Sequence, residues 1–426
     1  MKRPNRASRF AVACAASALV LAACGDDSSS TETEETPEDS ASSEAPEFKG
    51  DGVLKVGTLL PQTGDLAVLG PPEFAGVELA IQDINKAGGV LDKPVEEIRA
   101  DSGDGTPDIA GAEVDNLLSE DVDTIIGAAA SGVSVSVIDK ITGAGVVHFS
   151  PANTAAGFDT YDDNGLYFRT APSDILQGQL LANLIVEDGF ENVAIMGRQD
   201  FYGEGLSEQV QTSLEEKGAS VSDFVLYSAD ATKFSAEVTQ VAASKPDALV
   251  LVAFDETTKI VPQLIANKIG PQDIQIYMVD GNLADRSSES FDLTGVKGTL
   301  PVSADPDPGF NDRLLEVDPK LKDFSYGPQA YDATVITALA AIAADDDSGE
   351  AIGANIVDVT VGGTQCTTFE ECAQLQEDGE DVDYQGVSGP VDMNDSGSLQ
   401  AGTYGIQEYV KGNTYEQIDS VSGVLP

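Results

Sequence analysis

From Gly50 onward, short apolar runs alternate with stretches whose apolar residues recur every three or four positions. Val53–Leu60 (VLKVGTLL) has the continuous apolar character of a buried strand. Phe74, Val77, Ile81 and Ile84 then fall on one helical face, and Gly88-Gly89 ends that helix. The same alternation predicts strands at 95–100, 124–127 and 146–150, helices at 108–119 and 133–143, and a short crossing segment at Tyr167–Thr170.

The pattern restarts at Ser173-Asp174. Helices are expected at 173–185, 203–217, 234–244 and 257–268, with strands at 193–197, 221–227, 248–253 and 274–279. After Gly298 come one more strand, a long helix over Gly327–Ala344 and a loop carrying two cysteines. Val391–Val410 alternates and turns at Asn394-Asp395-Ser396-Gly397, a hairpin signal. Short Val/Ile/Leu-rich strands between helices imply parallel sheets covered on both faces. Two such series imply an α/β protein of two similar lobes, which suits 426 residues better than one core does.

The first 49 residues follow neither pattern. Lys2, Arg3, Arg6 and Arg9 precede an apolar run from Phe10 to Ala23, too short for an ordinary transmembrane helix but suited to a signal peptide. The run ends in Leu21-Ala22-Ala23-Cys24-Gly25, which resembles the bacterial lipobox. That resemblance implies removal of residues 1–23, a lipid on Cys24 and an extracytoplasmic protein anchored to the membrane. Gly25–Glu47 holds nine acidic residues and no Lys or Arg, and should form a disordered tether over 24–49. Cys366 and Cys372, the two cysteines left over, are expected to pair in an oxidising compartment.

The net charge of -50 excludes nucleic acid as a partner, because phosphate binding requires Lys and Arg. A single histidine excludes mechanisms and metal sites that need two. There is no GxxxxGK[ST], GxSxG, HExxH or SxxK. His148 ends an apolar strand and reads as a packed residue. Asp392–Gly397 imitates half of an EF-hand, but Thr403 stands where the last ligand would be Glu, so a hairpin turn is preferred. Asp101, Asp104 and Asp108 read as a solvated acidic loop, and neither a metal nor a cofactor is expected.

Small polar residues lie just after strands, where parallel sheets bind their ligands. In the first series these are Gln62-Thr63-Gly64, Ala129–Gly132 and Ser150–Thr154. Their hydroxyls and N–H groups suit a carboxylate. In the second series they are Phe201-Tyr202-Gly203, Phe254-Asp255 and Asp280-Gly281, which suit an apolar body and a cation.

The stretch VGTLLPQTGDLAVLGPPEFAGVELAIQDINKAGGV resembles the opening of the leucine/isoleucine/valine-type solute-binding proteins of ABC transporters. So do FSPANTA, RTAPSDILQGQLLANLI, YGEG at Tyr202–Gly205 and YDATVITALAAI. The resemblance covers about residues 51–415. It implies two Rossmann-like lobes joined by a three-stranded hinge, residues 51–170 with 300–400 and residues 171–299 with 401–426, closing on a ligand. By that similarity Ser131 and Thr154 meet the ligand's α-carboxylate and ammonium, with the Ala152 backbone beside them. Tyr202 forms a wall, and Asp280 is the acid for the ammonium. Phe254 stands where Tyr is common, Leu69 where some relatives carry an aromatic, and Asp280 where Glu is common. The implied protein is a monomeric, non-enzymatic receptor that delivers a branched-chain type amino acid to the permease of an ABC importer. An amide, urea or organic acid ligand, or a sensing role, fits the same class; a hydrolase lacks its nucleophile motif.

Overall fold

The computed structural model describes residues 50–425 apart from 106–107, 304–306 and 308. The signal peptide, Cys24 and the acidic tether lie outside the described residues. The first sheet is built from β1 (Lys55–Leu60), β2 (Glu96–Asp101), β3 (Thr124–Gly127), β4 (Val147–Ser150) and β5 (Tyr167–Arg169). They are all parallel, in the order β2-β1-β3-β4-β5. Between them run α1 (Gly70–Ala87), α2 (Ala110–Ser119) and α3 (Ser131–Thr142). Tyr167–Thr170, read as a crossing segment, thus contains the edge strand β5 of this sheet, and the chain leaves the sheet just after it.

The second series repeats the order. It comprises α4 (Asp174–Glu187), β6 (Asn192–Gln199), α5 (Phe201–Glu216), β7 (Ser220–Ser228), α6 (Ser235–Ser244), β8 (Ala248–Val252), α7 (Thr257–Ala266), β9 (Gln275–Met278) and β10 (Lys297–Pro301). Strands β7-β6-β8-β9-β10 are parallel neighbours with the same arrangement as the first five. In both sheets the strand order reverses between the first and third strands of the series. The loops after those two strands therefore diverge and leave a crevice at the carboxyl edge.

After β10 the chain returns to the first sheet with α8 (Phe310–Val317), α9 (Gly327–Ala344) and α10 (Gly349–Ile356). Helix α9 is buried nearly all round, as its Ala-rich sequence requires. It lies so close to α1 that a Cβ on Gly76 would meet the Gly327 carbonyl at 2.2 Å. The core of this half runs through Leu54, Val56, Val77, Ile84, Val335 and Ile336. A small sheet follows, from β11 (Thr364–Cys366), β12 (Val382–Gly386) and β13 (Gly389–Pro390), with α11 (Phe369–Glu377) between β11 and β12. Its tie to α9 is the buried Asp332, which accepts from Tyr384 Oη (2.7 Å), Ser388 Oγ (2.5 Å) and the N–H groups of Val387 and Ser388.

The chain then crosses back and ends in β14 (Ala401–Tyr409) and β15 (Tyr415–Val424), antiparallel additions to the second sheet. The hairpin is therefore not where the sequence placed it. Asn394–Gly397 does form a tight turn, closed by Gly397 N–H on the Asn394 carbonyl, but only a single bridge, Met393 to Leu399, flanks it. The long hairpin turns instead after Val410, whose N–H donates to the Thr414 carbonyl.

Cys366 and Cys372 form a disulfide joining β11 to the first turn of α11, with both residues buried. Closing so short a loop restricts the unfolded chain by about 2 kcal/mol in the chain-entropy model. Replacing both cysteines by serine should lower the unfolding free energy by about that amount in urea titration.

Candidate ligand-binding site

The site begins with the glycine that ends β3. Gly127 has φ +132°, and a Cβ there would meet the Leu59 carbonyl at 2.0 Å, so the turn into Ala128–Ala130 requires glycine. Ser150, at the end of β4, fixes that turn to its neighbour. Its Oγ donates to the Ala128 carbonyl (2.7 Å) and accepts from the N–H groups of Ala152 and Asn153. Asn153 Nδ2 donates to the carbonyls of Ala128 and Ala129 (3.0 and 2.9 Å). The result places Ser131, the first residue of α3, against the loop carrying Ala152 and Thr154; the Ala155 N–H donates to Ser131 Oγ (3.4 Å).

The facing wall comes from the second sheet. Asp200 caps α5 by accepting from the Gly203 N–H (2.8 Å), which sets Tyr202 in the first turn. Tyr202 stacks on Phe254, with centroids 5.5 Å apart and rings 18° from parallel. The guanidinium of Arg198 lies 3.6 Å from the other ring centroid, Phe254. Arg198 is itself held by Glu256 (2.9 Å) and Asp200 (2.6 Å), and Glu256 also accepts from the Phe254 N–H (3.0 Å). Asp280 follows β9 and accepts from Tyr202 Oη (2.8 Å), Gln177 Nε2 (3.0 Å) and Tyr326 Oη (2.7 Å). Burial pushes the Asp280 carboxyl upward, while Tyr326, Tyr202 and Gln177 pull it back toward ionisation.

All seven residues singled out in the sequence, Leu69, Ser131, Ala152, Thr154, Tyr202, Phe254 and Asp280, line one cavity. With them are Leu66, Ala129, Ala130, Gly281 and Tyr326. The neighbouring candidates go elsewhere. Thr63 hydrogen-bonds to Asp101, which also accepts from Gln62 and Gly103 N–H groups. Phe201 packs on Phe158 at 5.0 Å, and Asp255 pairs with Arg286. His148 is buried against Tyr167, and burial pushes its imidazole down to about 3. Sequence reasoning missed Tyr326, Gln177 and Asp174. Tyr326 has φ +60° and stands immediately before Gly327-Pro328; that helix-start signal was the only local hint.

The cavity measures only about 10 Å³, room for about one water. A cleft of about 590 Å³ lies beside the crossing segments, lined by residues including Asp285, Lys322, Asp323 and Tyr415. Size favours that cleft, but convergent hydroxyls, aromatic rings and a buried acid favour the small cavity. Small-ligand sites usually span about 300–1,000 Å³. The walls must therefore separate to admit a ligand, and they belong to different sheets. The Tyr326–Asp280 bond and the Asp255 N–H to Asp65 carbonyl bond (3.2 Å) join the two halves in this closed arrangement.

Two sheets of repeated topology with a site between their carboxyl edges define a bilobal binding protein. The chain belongs to the periplasmic binding protein family, which it matches over residues 53–406. The family is one of non-enzymatic, extracytoplasmic receptors for small molecules that work with ABC transporters. The chain is 28% identical to the Leu/Ile/Val-binding protein homolog 1 of Brucella suis over 70% of its own length and 79% of that protein's. It is 30% identical to an uncharacterized protein of Methanocaldococcus jannaschii, over 42% of this chain and only 44% of that one. A leucine-binding protein from Thermotoga maritima has a similar fold, with TM-score 0.71 at 20% identity, covering 87% of this chain and 99% of the other. A solute-binding protein of R. palustris in complex with benzoate aligns with TM-score 0.69 at 17% identity, over 88% and 98%. No helix among the described residues is long and apolar enough to cross a membrane.

Proposed function

We propose that the chain binds an α-amino acid of the branched-chain type and delivers it to an ABC importer. The observation that carries this reading is the polarity across the cavity. Ser131 and Thr154 supply hydroxyls on the first-sheet side, beside the N-terminus of α3, where a carboxylate is favoured. Asp280 supplies the acid on the other side, and Tyr202, Phe254, Leu66 and Leu69 supply apolar walls. The name of the Brucella relative supports the same ligand class. An organic acid such as the benzoate of the R. palustris protein would meet Asp280 as a like charge. The bodies that close on the ligand are taken as residues 51–170 with 300–400 and 171–299 with 401–426, acting as a monomer.

A thermal-shift screen with the twenty amino acids, simple amides and simple organic acids tests the reading. A ligand at 100 times its Kd stabilises by about 2.7 kcal/mol, which gives a clear shift. A response to amides or acids alone would reject an amino-acid ligand.

The anchor is proposed on the basic residues, short apolar run and Leu21–Cys24 of the leader. Cys24→Ala should move the protein from the membrane fraction to the soluble fraction. Continued sedimentation with membranes would show that Cys24 carries no essential lipid.

A further inference from the structure

One buried carboxylate near the cavity is not used by the reading above. Asp174 is the first residue of the 14-residue helix α4, fully buried, and neither of its oxygens has a hydrogen-bond partner among the described residues. It is aligned by its own backbone, whose N–H donates to the Thr154 carbonyl at 2.7 Å. The Thr154 hydroxyl, which lines the cavity, acts on the Asp174 carboxylate behind it but falls short of hydrogen-bond geometry, so neither group has a close partner among the described residues. One turn along α4, Gln177 donates to Asp280. The same helix start therefore brings Asp174 up to Asp280 behind the cavity.

We infer that Asp174 and Asp280 form one seat for a protonated amine, holding a single proton between them until the ligand's ammonium group displaces it. This rests on the amino-acid reading and adds to it the chemistry of the seat and its dependence on pH.

Apart from the Thr154 hydroxyl, the described residues around Asp174 offer it no uncommitted donor of charge. Arg169 is a cation whose charge reaches it, and that guanidinium is committed to Asp159, Ser398 and the carbonyls of Asn153 and Ala155. The other groups facing the pair are the Asp159 carboxylate and the hydroxyls of Tyr202, Tyr326 and Tyr404. Tyrosine hydroxyls donate to Asp280 but remain neutral. Two buried carboxylates in contact with each other's field do not both ionise. With three donors Asp280 is the better anion, so the proton resides on Asp174. An ammonium group has three N–H donors, enough for Thr154, Asp280 and Asp174 together. Its arrival lets both carboxylates ionise, and the displaced proton passes to solvent. Affinity then rises with pH, about tenfold per unit while the free pair still holds its proton, and levels off above that range.

Infrared difference spectroscopy on the full-length protein at neutral pH reads the proton directly. Wild type minus Asp174→Asn should show one protonated carboxyl, with Asp174→Ser as a second variant should the amide disturb the helix start. The buried Glu73, whose carboxyl burial also pushes upward, is common to both proteins and cancels in this difference. Absence of the band overturns the inference. Calorimetry in buffers of different ionisation enthalpy then counts protons for leucine, isoamylamine and 4-methylpentanoate. Leucine or the amine should release about one proton and remove the band, and Asp174→Asn should bind without release. Binding of the amine with release, but not of leucine, rejects the amino-acid reading while the seat stands. Binding of leucine without release rejects the seat while the amino-acid reading stands. Proton uptake with the acid alone, or failure of both leucine and the amine to bind, overturns the seat.

Discussion

Asp280→Ala should weaken binding of the amino-acid ligand by about 30-fold or more, measured by calorimetry, with the fold intact. Truncating one partner of a buried, hydrogen-bonded charge pair costs about 2 to 5 kcal/mol, mostly because the other charge is left without compensation. Asp280 meets the conditions for the upper part of that range. It is buried, it sits at the meeting of the two halves, and three donors hold its carboxylate in one orientation. Those donors also show a competing effect. In the closed arrangement Tyr326 and Tyr202 already occupy both carboxylate oxygens, so removing Asp280 loosens the unliganded closed form too. A ligand gains from that loosening, since affinity is reduced by any population that cannot receive it. Tyr326→Phe separates the terms: it removes one bond across the halves and keeps the acid, and it should leave affinity equal or slightly higher. Thr154→Ala should lose about 1 to 3 kcal/mol, the cost of one polar contact. Unchanged affinity in Asp280→Ala would remove that residue from the site and point to a ligand without an ammonium group.

The repeated strand order was legible because each buried strand is a short Val/Ile/Leu run between turn residues, as in Thr124–Gly127 and Ala248–Val252. Site residues that follow strands were legible for the same reason. Ser131, Thr154, Phe254 and Asp280 need only the rule that ligands bind beyond the carboxyl ends of parallel strands, with the family resemblance choosing among the loop residues. Tyr326 obeys no such rule. It reaches Asp280 from 46 positions along the chain, and its place depends on how α9 lies against α1. Asp174 and Gln177 sit one turn apart on a helix whose apolar residues dominate its pattern, so their shared direction is visible only once the helix is docked. β15 was missed because it is an exposed edge strand. Glu416, Gln417, Asp419 and Ser420 give no alternation, and backbone pairing with β14 holds them extended. The hairpin was misplaced because Asn394–Gly397 has the right turn chemistry, while the strand pairing that distinguishes a hairpin from a lone turn is not local.

Arg198→Ala should be the most damaging single change to the stability of the second sheet's binding wall. The guanidinium is almost fully buried and bonds to two carboxylates, one of them, Glu256, also buried. Removing one partner of a buried ion pair costs about 3–5 kcal/mol, because the remaining charge is stranded. Here the stranded group is Glu256, which retains neutral donors such as the Tyr227 hydroxyl (2.8 Å) and the Phe254 N–H but, among the described residues, no cation bonded to it. Phe254 loses the cation over its ring at the same time, so the Tyr202–Phe254 stack loosens and ligand affinity falls with stability. Two controls identify the cause. Arg198→Met with Glu256→Gln removes both charges and keeps the volume, and should recover most of the loss, since a buried pair often does little better than a neutral replacement. The pH dependence gives the second control. Burial already raises the Glu256 carboxyl, and loss of Arg198 removes the main influence lowering it. A carboxyl whose folded pKa lies above its unfolded value favours the folded state at low pH and loses that contribution as pH rises through the folded pKa. The deficit of Arg198→Ala relative to wild type, read from urea unfolding, should therefore shrink as pH is lowered from about 7.5 toward 5. A deficit independent of pH would assign the loss to packing around Phe254, not to an uncompensated charge.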